Sequence, residues 1–142
     1  MKRFTSLLVT AIALLGGCDD WLDRRIDITA SDAASFSVAG TSSFSLASTV
    51  RQYAGTRGLP CSESNELPIE CYRQPVRVWA VSTEKGAVVC YTAIGIAFER
   101  SKFAARADEL QRVLVEAFGI ASVSSKVGRC PQPPSFSRRG SA

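Results

Sequence analysis

The chain has 142 residues, of which 46% are hydrophobic and 21% charged, with no histidine and a formal charge of +4. This is one domain's worth of ordinary globular sequence, and setting aside Lys2 and Arg3 at the extreme N-terminus leaves +2 (4 − 2). So weak a positive charge, clustered only at Arg24-Arg25 and Arg138-Arg139, argues against nucleic acid as a partner.

Met1-Lys2-Arg3 is a positive start, Phe4 to Leu15 ("FTSLLVTAIALL") an apolar run, and Gly16-Gly17 the small residues that a cleavage site needs. At about 14 residues the apolar run falls short of the roughly 20 that span a hydrocarbon core, so a leader is expected rather than a permanent transmembrane helix. "LGGC", Leu15 to Cys18, resembles the lipobox of bacterial lipoprotein signal peptides, and the resemblance covers residues 1–18 only. It implies cleavage before Cys18, a diacylglycerol on the Cys18 thiol and usually a further acyl chain, such as palmitate, on the new amino terminus. One acyl chain binds membranes marginally, whereas two or three hold a protein there stably. Asp19-Asp20 is similar to the signal that retains enterobacterial lipoproteins in the inner membrane, which favours the inner over the outer membrane, with the domain facing the periplasm. An ordinary secretory signal with an incidental cysteine is the competing reading.

Residues 18–36 are expected to be the lipidated cysteine and a tether. A short strand at Arg24 to Thr29 is possible within it, where Ile26 and Ile28 alternate with polar neighbours. Trp21 either rests at the lipid interface or simply opens the tether. A domain then runs from 37 to 130. Phe44, Ala47, Val50 and Ala54 recur at helical spacing beside Tyr53, predicting a helix from Thr41 to Arg57 that stops at Gly58 and Pro60. "PCSESNELPIEC" reads as a polar loop or small hairpin. "VRVWAVS" (Val76 to Ser82), the turn "TEKG" and "AVVCYTAIGIAF" (Ala87 to Phe98) read as a β-hairpin, with Gly95 marking a bulge or kink. "SKFAARADELQRVLVEAFG" is the strongest helix, capped by Ser101 and ended by Gly119. Its apolar stripe is Phe103, Ala107, Leu110, Leu114, Ala117 and Phe118; Asp108 and Arg112 stand at i,i+4 on the wet side. "IASVSSKV" offers a last strand, and 131–142 a proline-rich tail expected to be mobile.

The resulting order, strand–helix–strand–strand–helix–strand, is that of a ferredoxin-like βαββαβ sandwich: an α+β fold with an antiparallel sheet and two helices on one face. With an even-length turn, Trp79, Val81, Val88, Cys90, Ile94, Ile96 and Phe98 share one face. Being bulky, they are expected beneath the helices. Val76, Val78, Ala80, Val89, Tyr91 and Ala93 then form a second apolar face, expected either to be covered by other parts of the chain or to serve as a partner or self-association surface.

There are five cysteines. Assigning Cys18 to lipid leaves an even four, which fits two disulfides in an oxidising compartment. Cys61–Cys71 with Cys90–Cys130 is favoured, because the first closes a short loop; the other two connectivities remain open. No C-x-x-C spacing and no histidine argue against zinc. The missing histidine also removes the commonest general base. Lys85 and Lys102 read as solvated, and Glu63, Glu66 and Glu70 as a solvated acidic cluster. No phosphate-binding loop or dinucleotide fingerprint is present. Neither catalysis nor a cofactor is expected beyond the covalent lipid. The expected function is a non-enzymatic, protein-binding accessory component of an envelope complex. The alternative is a periplasmic immunity or exclusion lipoprotein against a toxin, plasmid or phage, and a ligand sensor or enzyme stands third.

Overall fold

The structure, a computed structural model, describes residues 21–29, 41–95, 98–126 and 128–134, with backbone alone for 41–45. The leader, Cys18, Ile96 and residues 135–142 lie outside the described residues, as does the side chain of Phe44. Five strands and two helices follow in chain order: β1 (Trp21–Thr29), α1 (Thr41–Thr56), β2 (Ile69–Arg73), β3 (Val76–Thr83), β4 (Gly86–Ile94), α2 (Arg100–Phe118) and β5 (Val123–Lys126). They form an α+β fold with one antiparallel sheet, ordered β2-β3-β4-β1-β5. Setting β2 aside leaves βαββαβ with order β3-β4-β1-β5, compatible with the ferredoxin-like arrangement expected. β2 is an addition at the edge.

Two elements differ from the sequence reading. The expected tether holds a nine-residue strand, β1, near the middle of the sheet. It pairs along its whole length with β4 and through Arg25–Ile28 with β5. Its register explains its place: Ile26 and Ile28 are buried, opposite Val89 and Ala87 on β4. The expected polar loop ends in a strand, β2, whose Ile69 and Cys71 are buried opposite Ala80 and Val78.

Helix α1 buries Leu46, Ala47, Val50, Tyr53 and Ala54, the spacing of one helical face. It ends where the Leu59 N–H donates to the Ala54 carbonyl at 2.9 Å, with Gly58 at φ 68° supplying the left-handed step. Helix α2 buries Phe103, Ala107, Leu110 and Leu114. Phe118 is half-buried against the core, but Ala117 is exposed. Its N-cap is Glu99, without a side-chain capping bond, so Ser101 lies inside the helix rather than capping it. Gly119, at φ 89°, closes it by donating to the Val115 carbonyl. Asp108 pairs with Arg24 of β1 at 2.7 Å, linking α2 to the sheet.

The β3–β4 turn is even, with Thr83 opposite Gly86 and Ser82 opposite Ala87. Within the hairpin strands the two expected faces therefore form, Trp79, Val81, Val88 and Cys90 on one and Val76, Val78, Ala80, Val89, Tyr91 and Ala93 on the other, but their places are exchanged. Val76, Val78, Ala80, Val89, Tyr91 and Ala93 are all buried in the main core with residues of both helices. They are not a partner or self-association surface. Trp79, Val88 and Cys90 lie on the other side, in a small cluster joined by Val81 and Cys130. Volume misleads here because helices pack closely onto a sheet only where side chains interdigitate. Ala80, Ala87 and Ala93 give that space, filled from the helices by Ala47, Ala54, Ala107, Leu110 and Leu114. Strand β4 stops at Ile94, so Gly95 ends it rather than kinking it. Phe98, beyond the strand, packs against the main core, away from Trp79.

Both favoured disulfides are present, one on each side of the sheet. Cys61–Cys71 belongs with the main core, and Cys61 bridges the outer edge of β2. Cys90–Cys130 fastens the segment after β5 across the opposite face.

Candidate protein-binding face

The sheet face away from the helices is the functional candidate. Strand alternation sends every second residue there. From β1 come Asp23, Arg25 and Asp27, opposite Thr92, Cys90 and Val88 of β4. From β3 come Arg77, Trp79 and Val81, and from β2 Glu70 and Tyr72. An apolar centre of Trp79, Val88 and Cys90 is thus bordered by ionic groups on both sides.

Those ionic groups are paired. The Arg25 guanidinium donates to both Asp27 carboxylate oxygens, at 3.0 and 3.1 Å, a bidentate pair. It also reaches the Arg129 carbonyl at 3.5 Å, on the segment fastened by Cys130. Across the apolar centre, Arg77 Nε lies 2.9 Å from Glu70 Oε1, and its guanidinium stacks 4.6 Å from the Tyr72 ring centre. Burial pushes the Glu70 carboxyl above its ordinary value of 4.5 while Arg77 opposes the shift. Burial raises Asp23 likewise, against the charge of Arg129. The Trp79 indole N–H is buried without an acceptor among the described residues.

One end of this face opens into a cleft of about 340 Å³ lined by Arg25, Asp27, Thr83, Glu84, Lys85 and Lys126. Glu84 and Lys85 are the two loop residues of the β3–β4 hairpin, and both are exposed. Lys85, Lys126 and Glu84 make no ion pair among the described residues, in contrast to the paired charges further along the face. A rim of exposed charges beside a small apolar centre is the composition of a polar protein contact.

The other candidate groups are scattered. Glu63 and Glu66 stay exposed in the loop before β2, whereas Glu70 turns onto the sheet to meet Arg77. Lys102 is exposed and lies 3.6 Å from Glu99. On the helix side, Tyr53 donates to the Arg106 carbonyl at 2.8 Å and Arg57 bonds Glu109, so a second cleft of about 470 Å³ between the helices is crossed by hydrogen-bonded side chains. Among the described residues no group of three or more acidic, histidine or cysteine side chains is placed to hold a metal, and no helix is long and apolar enough to cross a membrane.

No family model, no curated protein and no solved structure matches the chain.

The charged border of the face was present in the sequence. Asp23, Arg25 and Asp27 alternate with Leu22, Arg24, Ile26 and Ile28. Reading these residues as a strand of the sheet, rather than as a tether, assigns the wet side at once.

Proposed function

We propose that this chain is a bacterial envelope lipoprotein, held at the membrane by acyl chains on Cys18 and facing the periplasm. Its domain works as a non-enzymatic, protein-binding component of an envelope complex. The observation that carries this reading is the use of the cysteines. Four of the five lie in two disulfides, one on each side of the sheet. Such pairing belongs to an oxidising compartment. The fifth, Cys18, ends an apolar leader at a lipobox-like "LGGC". Asp19-Asp20 favours retention in the inner membrane. The mixed apolar and charged face, with its open cleft, supports binding as the domain's task.

Two measurements test it. Growth with an alkyne fatty acid should label the native protein, and Cys18→Ser should abolish the label and release the protein from membranes; label persisting in the variant refutes the anchor. Crosslinking in unchallenged cells should then capture a fixed set of envelope proteins. Capture only on exposure to a toxin, with protection against it, would assign the domain to immunity instead.

A further inference from the structure

We propose that the domain stands on the bilayer at the Trp21 end of its sheet, with the Trp21 indole in the lipid interface and the β3–β4 hairpin turn pointing away. This deepens the reading above and rests on Cys18 being lipidated.

The constraint is chain length. Trp21 is three residues beyond Cys18 and is already the first residue of β1. Three residues reach at most about 11 Å. The anchor therefore holds the start of β1 close to the headgroups, with no slack for the domain to turn over. Nor does β1 supply slack by peeling away, because it is paired with β4 from its first residue and is flanked by β5 as well from Arg25 to Ile28. Trp21 itself is in register with Ile94, and the rest of β1 continues the pairing to Gly86.

The end held down suits the contact. Trp21 is 61% exposed, although it lies on a sheet whose other tryptophan, Trp79, is 3% exposed. Beside it is Ile94, half-buried, and beyond Ile94, at the same end of the sheet, is the Gln74-Pro75 turn, whose Pro75 carbonyl accepts from the Ile94 N–H at 3.2 Å. An indole with an apolar body and one N–H donor prefers the boundary between hydrocarbon and water. One such ring binds weakly from solution. Tethered by three residues, it meets the interface at a high effective concentration.

The same geometry places the other end. Nine strand residues separate the ends of β1 by roughly 26 Å. Thr29, the Glu84-Lys85 turn and the charged cleft thus face the periplasm, where a soluble or neighbouring protein can reach them. Ile120, 82% exposed, lies beyond α2 next to Ser122 and Val123, which pack on the Thr29 end. It is therefore at the far end too and is not a second membrane contact.

The test uses the full, processed protein carrying Trp79→Phe, so that Trp21 is the sole tryptophan, reconstituted in phosphatidylethanolamine–phosphatidylglycerol vesicles. Intact mass reads acylation first: an unacylated Cys18 overturns both the anchor and this inference. In the acylated protein, brominated lipid should quench Trp21 emission at least about two-fold, by short-range contact, and a 20-residue Gly-Ser insertion between Asp20 and Trp21 should restore most of it. Acylated protein whose emission ignores brominated lipid overturns the orientation and leaves the anchor standing. A second measurement keeps Trp79. With a photoreactive phenylalanine analogue in place of Trp21, irradiated cells should yield lipid adducts. Adducts to a protein would show that Trp21 docks on a polypeptide and would overturn the proposal.

Discussion

Val78 and Val81 lie on the same strand, three residues apart, and on opposite faces of the sheet. Val78 is fully buried under the helices, whereas Val81 is only half-buried beside Trp79. A carboxylate at the first position is forced into an apolar core with no partner, whereas at the second it reaches water. Val78→Asp should therefore cost more than about 4 kcal/mol and leave the chain unfolded. Val81→Asp should lose no more than about 2 kcal/mol and keep its cooperative transition. Urea unfolding followed by circular dichroism compares them directly, and equal losses would contradict the assignment of faces. Tyr91 gives a second handle on the same core. It is 3% exposed, with its ring 5.4 Å from that of Phe103, and burial pushes its hydroxyl up to about 12; Tyr53 is raised to about 12 as well. In the unfolded chain both ionise near their ordinary value of 10. Between 10 and about 12 the unfolded state has thus released protons that the folded state still holds, so stability must fall as pH rises through that window. Tyr91→Phe keeps the ring and removes one of the two groups. Its stability should decline less steeply than the native protein's from pH 10 to 11.5 in the same unfolding assay.

At the scale of elements, the two disulfides brace different things. Cys61–Cys71 spans ten residues and ties a loop to the edge strand β2, whereas Cys90–Cys130 spans forty and ties the segment after β5 to β4. The entropy lost by the unfolded chain grows with the loop closed, to about 2.7 kcal/mol for the shorter and about 3.9 kcal/mol for the longer. Replacing Cys90 and Cys130 by Ala should accordingly destabilise more than replacing Cys61 and Cys71, and should expose Trp79, shifting its fluorescence to the red; a larger loss from the short loop would show that native packing, not loop closure, sets the order. Both helices and the favoured Cys61–Cys71 pairing rest on local signals: an apolar stripe that repeats every turn, or a short loop between two cysteines. Cys90–Cys130, forty residues apart, has no such signal and follows only as the remaining pair. β2 is local in its pairing, a hairpin with β3, but only five residues long and half polar; β1 is harder because its pairing is not local. Trp21 to Thr29 becomes a strand by lying between β4 and β5, whose partner residues are some 60 to 100 positions away. The exchange of the two hairpin faces has the same origin. Within β3 and β4 alone both faces are mostly apolar, and Arg77 is the single charge on the wet one. Its other charges, Asp23, Arg25 and Asp27 among them, stand on neighbouring strands and come alongside only after the sheet has formed.

At the scale of the molecule, the sheet has two unlike ends joined by one interior strand. β1 runs from Trp21, close in sequence to the proposed anchor, to Thr29, which lines the charged cleft. The proposed anchor and the proposed binding cleft thus lie at opposite ends of one strand, and each function should be removable without the other. Lys85 and Lys126 test this separation. They line the cleft, are exposed and lie outside the ion pairs of the sheet face. Exposed charges of this kind contribute little to folding, so Lys85→Glu with Lys126→Glu should leave stability within about 1 kcal/mol of the native value. Rim charges do affect association, through orientation and rate of encounter. The double reversal should therefore cut the yield of crosslinked envelope proteins at least about ten-fold, equivalent to some 1.4 kcal/mol of binding. It should leave membrane fractionation and fatty-acid labelling unchanged. Cys18→Ser should do the reverse to fractionation, sending a folded, disulfide-bonded domain into the soluble fraction. If the double reversal retained the full set of crosslinks, binding would lie elsewhere on the molecule. The next surface to test would then be the paired ionic rows around Trp79, nearer the middle of the sheet.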